Sequence, residues 1–243
     1  MAGSYKARGI VLHTVKYGES SLVAYLFTDV GGRQTYMIQG VRSSRGRGNK
    51  AALFQPMFLL EFEGVEQPHA EMHRMKEVRN LVPLSSVPFD VRKSTVSLFM
   101  AEVLYRLIRE VEANEPLFDF ICSAVQQLDR MEQGVANFHL WFLVCLSAYL
   151  GFYPGNEYRD GGWFDIRSGL FCDAMPQHRT CMGPASARLL GGLMEREAAE
   201  LDSLRLGRGE RLEFMEAMLI FFGYHFDAIH SVQSLRILRE VFC

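Results

Sequence analysis

Two cysteines in C-x-x-C spacing occur nowhere in this 243-residue chain, and its five cysteines (Cys122, Cys145, Cys172, Cys181 and Cys243) are odd in number. A secreted disulfide framework is therefore not expected. Cys122 and Cys145 lie in apolar runs and read as small buried hydrophobes. Long hydrophobic stretches are missing as well. The greasiest, FHLWFLVCLSAYLGFY at residues 138–153, contains His139 and Ser147. It stops short of the about 20 residues that a membrane span needs, so a buried core helix is expected there. The amino terminus, MAGSYKARGIV, has no basic flank followed by an apolar stretch, and no signal peptide is read from it. These absences point to a soluble protein of a reducing cytoplasm, with no membrane partner.

Catalytic signatures are absent too. No G-x-x-x-x-G-K-[ST], G-x-S-x-G or H-E-x-x-H appears, and Gly46-Arg47-Gly48 lacks the third glycine of a dinucleotide loop. Glu110, Glu112, Asp160 and Asp165 are carboxylates without an evident catalytic partner. His225 and His230 are five apart, off the four-residue spacing that lets two side chains share a helix face. The reading is not an enzyme.

Net charge of either sign is also scarce: 26 Lys and Arg stand against 28 Asp and Glu, a formal −2. That balance conceals two opposite halves. Residues 1–83 carry 11 basic and 7 acidic side chains, net +4, whereas residues 84–243 carry 15 and 21, net −6. The change of sign coincides with a change of period. Residues 5–17, 21–28, 33–41, 54–62 and 70–81 read as five short strands, rich in β-formers. Asp29-Val30-Gly31-Gly32 marks a hairpin turn, Val15 breaks the alternation of the first strand, and Pro56 suggests an edge or bulge in the fourth. Five strands in so short a span fit a small closed or partly open barrel.

Beyond Pro83 and Pro88 the spacing turns helical. Apolar residues recur every three or four positions over residues 90–112. Asn114 is placed to cap a second helix, with Pro116 in its first turn, and Gly134 separates that helix from a third over 135–150. Residues 154–183 are punctuated by glycine and proline, with room for a short hairpin across 166–169. Helical periodicity returns at 184–200 and 210–241. The expected fold class is α+β in two domains: an N-terminal β-barrel over 1–82, then an all-helical domain over 83–243 with an irregular insertion at 154–183.

The sharpest local feature is RSSRGRGNK, residues 42–50, with no acid. Arg42, Arg45, Arg47 and Lys50 would suit phosphates, the guanidinium forks by bidentate contact, and the intervening glycines let backbone approach a polyanion. Lys6, Arg8, Lys16 and Arg33 could extend the patch. Tyr25, Phe27 and Tyr36 could stack bases, although strand alternation turns about half of such residues inward. A solvated basic loop over a core of aromatics is the plainer alternative. In the last helix, SVQSLRILREVF, Leu235 and Leu238 form an apolar stripe beside Arg236 and Arg239, a surface that would fit an acidic, hydrophobic-ended peptide; core packing explains the stripe equally. Cys172, His178 and Cys181 supply three potential metal ligands, but structural zinc normally takes four in two close pairs, so no metal is expected.

These segments together resemble the RecO family of bacterial recombination mediators, over essentially the whole chain. The resemblance rests on GIVLHTVKYGESSLVAYLFTDVGGR at 9–33, QGVRSSRGRGNKAALFQPMFLLEFE at 39–63, LGFYP at 150–154 and HFDAIHSVQSLRIL at 225–238. It implies an OB-fold barrel followed by a helical domain in a cytoplasmic, nucleoid-associated protein. It implies binding to single- and double-stranded DNA, strand annealing, contact with the acidic C-terminal tail of single-stranded-DNA-binding protein, and cooperation with RecR in loading RecA, without ATP hydrolysis. The DNA-facing positions it implies are Arg33, Arg42, Arg45, Arg47 and Lys50, then Lys6 and Arg8; Arg236 and Arg239 would serve the partner tail. Many relatives carry a four-cysteine zinc module after the LGFYP-like stretch. Here the first pair is missing from GNEYRDGGWFD, and of the second, Cys172-Asp173-Ala174-Met175, only Cys172 matches. The resemblance therefore implies a degenerate module without zinc. A second reading is a protein-interaction adaptor whose basic barrel docks protein instead of DNA.

Overall fold

A computed structural model describes residues 3–41, 50–65 and 70–242. It divides into two compact units, residues 1–89 with 100–129, and residues 90–99 with 130–243. The architecture is α+β, as expected: an antiparallel sheet region followed by a helical region.

The first unit is built on five strands, β1 Ser4–Tyr17, β2 Ser21–Thr28, β3 Gly32–Ile38, β4 Leu59–Val65 and β5 Arg74–Asn80, in the order β3-β2-β1-β4-β5. Of the closed and partly open forms expected, the structure takes the open one. Its outer strands meet at one parallel bridge, Tyr36 to His73, closed by Met37 N–H to His73 O (3.0 Å) and His73 N–H to Thr35 O (2.8 Å), and the sheet stays open. Alternation explains the core: Ala7 and Val11 of β1, Ala24 and Leu26 of β2, Tyr36 and Ile38 of β3, and Leu60 and Phe62 of β4 share one buried cluster. The break in alternation expected at Val15 is a register shift between Val11 and His13. Beyond the shift no residue of β1 is buried, and Val15 itself is 46% exposed.

The β2–β3 turn shows why glycine is needed. Gly32 has φ +58°, and a Cβ there would lie 2.4 Å from Glu112 O. The Thr28 hydroxyl ties the turn by donating to Gly32 O (3.1 Å) and accepting from Gly31 N–H (3.2 Å). The fourth strand starts later than expected. Residues Lys50–Phe54 form a 3-10 helix, Phe54 is drawn into the core, and Pro56, which cannot donate to a ladder, is followed by Met57 at φ +65°.

Helix α1, Val91–Leu107, supplies its first residues to one unit and the rest to the other. Asp90 caps it, accepting from Arg92 N–H at 2.8 Å. Helix α2, Glu115–Arg130, completes the first unit; the expected cap is present, with Asn114 Oδ1 accepting from Leu117 N–H at 3.1 Å. Its other end is anchored by Asp129, whose carboxylate accepts the backbone N–H groups of Ser85, Ser86 and Val87 at 2.8–2.9 Å. Burial alone would raise that carboxyl, but those donors outweigh it and hold it at about 2. Phe118 of α2 packs on Phe27 of β2 at 5.9 Å between centroids.

In the second unit α3, Val135–Tyr149, is buried along most of its length, as its composition requires, and is tied to the chain around it by Asn137 Nδ2 to Leu204 O (3.0 Å) and Trp141 Nε1 to Arg196 O (3.0 Å). Among the described residues no helix is long and apolar enough to cross a membrane. The 154–183 segment is more regular than expected. Strands β6 Trp163–Asp165, β7 Leu170–Cys172 and β8 Cys181–Met182 form a small sheet in the order β7-β6-β8, with the expected hairpin joining β6 to β7. Phe164 plugs it, packed on Phe171 and Phe221. Helices α4 Pro184–Met194, α5 Arg208–Gly223 and α6 Ser234–Phe242 follow. The continuous period over 210–241 is interrupted by a 3-10 turn, Asp227–Ser231.

Candidate nucleic-acid interface

The cations expected to face DNA fall into three groups. Arg42, Arg45 and Arg47 lie outside the described residues. Arg8 and Arg33 are engaged by the fold. Arg8 Nε donates to Asp29 Oδ2 at 2.8 Å, Nη1 stands 3.6 Å from Asp119, and the guanidinium lies over the Phe118 ring. Its hydrogen bond to Asp29 raises its pKa further. Arg33 donates from Nη1 to Tyr105 O at 3.0 Å and covers the Tyr105 ring. Lys6 and Lys50 are exposed. Lys6 of β1 stands opposite Glu63 and borders a shallow depression where three acids, Glu61, Glu63 and Glu77, outnumber the two bases, Lys6 and Arg79. Lys50 opens the 3-10 helix beside β5 and lines a cleft with Arg74 and Lys76.

Arg74 and Lys76 were not singled out from sequence, though their spacing of two places them on one face of a strand. Both are exposed, and Lys50, Arg74 and Lys76 have no ion pair among the described residues. Arg79 differs, pairing with Glu61 at 2.7 Å. Lys50, Arg74 and Lys76 thus gather on one cleft beside the bridge from Tyr36 to His73, while Lys16, also exposed, lies toward the end of β1.

The aromatic platform is not formed. Tyr36 and Phe27 are 0% and 1% exposed and belong to the packed interior. Tyr25 is half-buried, edge-on to Tyr105 at 5.1 Å and close to His13.

On α6, Arg236 is exposed while Arg239 reaches Glu216 of α5. Leu238 is buried, Leu235 half-buried and Ile237 exposed, so the apolar stripe is mainly packing. Arg211 Nη2 caps the end of the helix at Phe242 O, 3.3 Å away.

The degenerate cysteine module does not fit zinc. Cys172 Sγ donates to Ala174 O (3.2 Å) and Cys181 Sγ to Arg179 O (3.6 Å). Both nitrogens of His178 are taken: Nδ1 accepts from Thr180 N–H at 3.1 Å, which leaves the proton on Nε2, 3.2 Å from Asp165 Oδ1. Arg159, paired with Asp173 at 3.4 Å, brings a cation beside Cys172. Among the described residues no group of three or more His, Cys, Asp or Glu is placed to hold a metal.

Residues 1–82 match the family model described as Recombination protein O N terminal, and residues 88–230 match Recombination protein O C terminal. The DNA repair protein RecO of Bacteroides fragilis is 35% identical over 239 residues, covering 98% of both chains. Those of Phocaeicola vulgatus and Flavobacterium psychrophilum are 34% and 33% identical, again over 98% of each chain.

Proposed function

The chain belongs to the RecO family of DNA repair and recombination proteins, and on that footing we propose that it is a non-enzymatic, DNA-binding mediator. The observation that carries the reading is the group Lys50, Arg74 and Lys76, three exposed cations without an ion pair among the described residues, on one cleft beside the bridge from Tyr36 to His73. Free guanidinium and ammonium groups on one edge release counterions when they meet phosphate, and that term supplies affinity without sequence selectivity. Such binding suits a protein that meets whatever strands damage exposes. In this account the first unit holds single- and double-stranded DNA and speeds annealing. The helical unit takes the acidic C-terminal tail of single-stranded-DNA-binding protein at Arg236 and its apolar neighbours. With RecR the protein helps RecA onto coated strands, at the nucleoid.

The test is annealing of complementary strands coated with single-stranded-DNA-binding protein. Acceleration by the parent protein, lost when Lys50, Arg74 and Lys76 are all replaced by Ala, is expected. Unchanged annealing in that variant contradicts the assignment. Binding of an acidic tail peptide with no binding of oligonucleotide favours the adaptor reading.

A further inference from the structure

We propose that the cleft between β3 and β5 admits one unstacked base of a single strand, so that this protein distinguishes single-stranded from duplex DNA by base capture. This rests on the DNA-binding reading above and adds a site to it.

The two seam hydrogen bonds end at Met37 and His73, and the cleft lies alongside the strand residues that follow, with the Lys50–Phe54 helix forming part of its wall. Its volume is about 270 Å³. That lies just under the ~300 Å³ at which pockets for drug-sized ligands begin, which suits a single ring system. Met37, Ile38, Leu53, Phe54, Met75 and Val78 make the apolar lining. Methionine sulfur is polarizable and makes favourable contacts with aromatic rings without selecting among them. Lys50, Arg74 and Lys76 stand on the same cleft with one acid, Glu77, and the Gln39 amide offers a donor and an acceptor for a base edge. A base on the lining brings its flanking phosphates to the cations.

A β-bulge builds this arrangement. Glu61 pairs with Arg79 and Glu63 with Lys76, so Glu77 and Val78 together oppose Phe62. Glu77 takes the left-handed conformation, φ +49°, which is costly for a residue with a Cβ. The extra residue lets Met75 and Val78, three apart, both pack against the interior while Arg74 and Lys76 remain exposed. An alternating strand could not place that pair of apolar residues on one side. Paired bases in a duplex stay stacked and cannot enter; the bases of a single strand can.

Fluorescence anisotropy of the full-length protein with three labelled probes of equal length tests this: oligothymidylate, an abasic oligomer and a duplex. The parent is expected to prefer oligothymidylate over the abasic oligomer by at least about tenfold, as stacking of one base provides. Met37→Lys fills the cleft and adds a positive charge. It is expected to bring that preference below about threefold while abasic and duplex binding hold or strengthen, a result that added charge alone would not give. A preference that survives in Met37→Lys, or is missing from the parent, overturns base capture but leaves DNA binding standing. Displacement of oligothymidylate by an acidic peptide from the parent but not from Met37→Lys overturns it in favour of a peptide site. A parent that binds none of the probes overturns the DNA-binding reading itself. Thermal unfolding checks each variant. Should Met37→Lys not fold, Arg74→Ala with Lys76→Ala, both at exposed positions, must weaken oligothymidylate several-fold, and unchanged affinity overturns the cleft.

Discussion

Arg8 and Asp29 are joined twice: the Arg8 guanidinium donates to Asp29 Oδ2 at 2.8 Å, and the Arg8 backbone N–H reaches Oδ1 at 2.9 Å. One carboxylate thereby fixes both the side chain and the strand that carries it. The Asp29 side chain is 16% exposed, so its charge is matched at close range. Asp29→Ala is therefore predicted to lower stability by about 1–3 kcal/mol in urea unfolding. Single-strand affinity, read by anisotropy, should change less than about twofold, far below the roughly tenfold effect of losing one good stacking or phosphate contact. Loss of DNA binding with stability intact would return Arg8 to the interface.

The contrast between Arg8 and Arg74 shows what the sequence made legible. The five strands, the capped second helix and the hairpin at 166–169 follow from period, turn chemistry and capping, which are local. Local rules also placed Arg8 and Arg33 among surface cations, because nothing in their neighbours reveals Asp29, Asp119 or the Tyr105 carbonyl across the fold. The Glu77 bulge was invisible for the same reason: it is defined by a register against β4 that no single strand carries. Phe54 read as a strand residue because its hydrophobicity fits either a ladder or a plug, and the prolyl residue two positions on decides between them.

His139 gives a pH signature. The ring is 1% exposed, lies between Phe99 and Phe242, and neither nitrogen has a partner among the described residues. Burial, reinforced by the nearby Arg211 charge, pushes its pKa down to about 3. An unfolded histidine takes its proton near 6.5, so between pH 6.5 and 3 the unfolded chain binds more protons than the folded one. This contribution is complete above pH 6.5 and is lost as pH falls, by up to about 1.4 kcal/mol per pH unit. His139→Leu should flatten the dependence between pH 6 and pH 5, where few carboxyls titrate, and hold or raise stability at pH 7. Equal slopes in parent and variant would show that the ring finds a proton partner.

On α6 the two arginines separate. Arg236→Ala is predicted to leave stability within about 0.5 kcal/mol of the parent. Arg239→Ala, which breaks the pair with Glu216, should cost up to about 1 kcal/mol, the ceiling for a largely exposed pair. Titration with a peptide of the single-stranded-DNA-binding protein tail should weaken in Arg236→Ala. Equal peptide affinity in that variant would move the partner site elsewhere.

Elemental analysis should find no zinc that remains after exhaustive dialysis, and a chelator should leave the unfolding midpoint unchanged. The Cys172, His178 and Cys181 side chains are already satisfied by the polypeptide. Retained stoichiometric zinc would contradict this assignment.

The most direct test of the account is the salt dependence of oligothymidylate binding by the parent and by the triple variant Lys50→Ala, Arg74→Ala, Lys76→Ala. Each lost phosphate contact to a single strand lowers the slope of log affinity against log salt by ~0.7, so the account predicts a slope shallower by about 2 and much weaker binding at low salt. An unchanged slope and affinity would contradict it, showing that DNA is held by other residues.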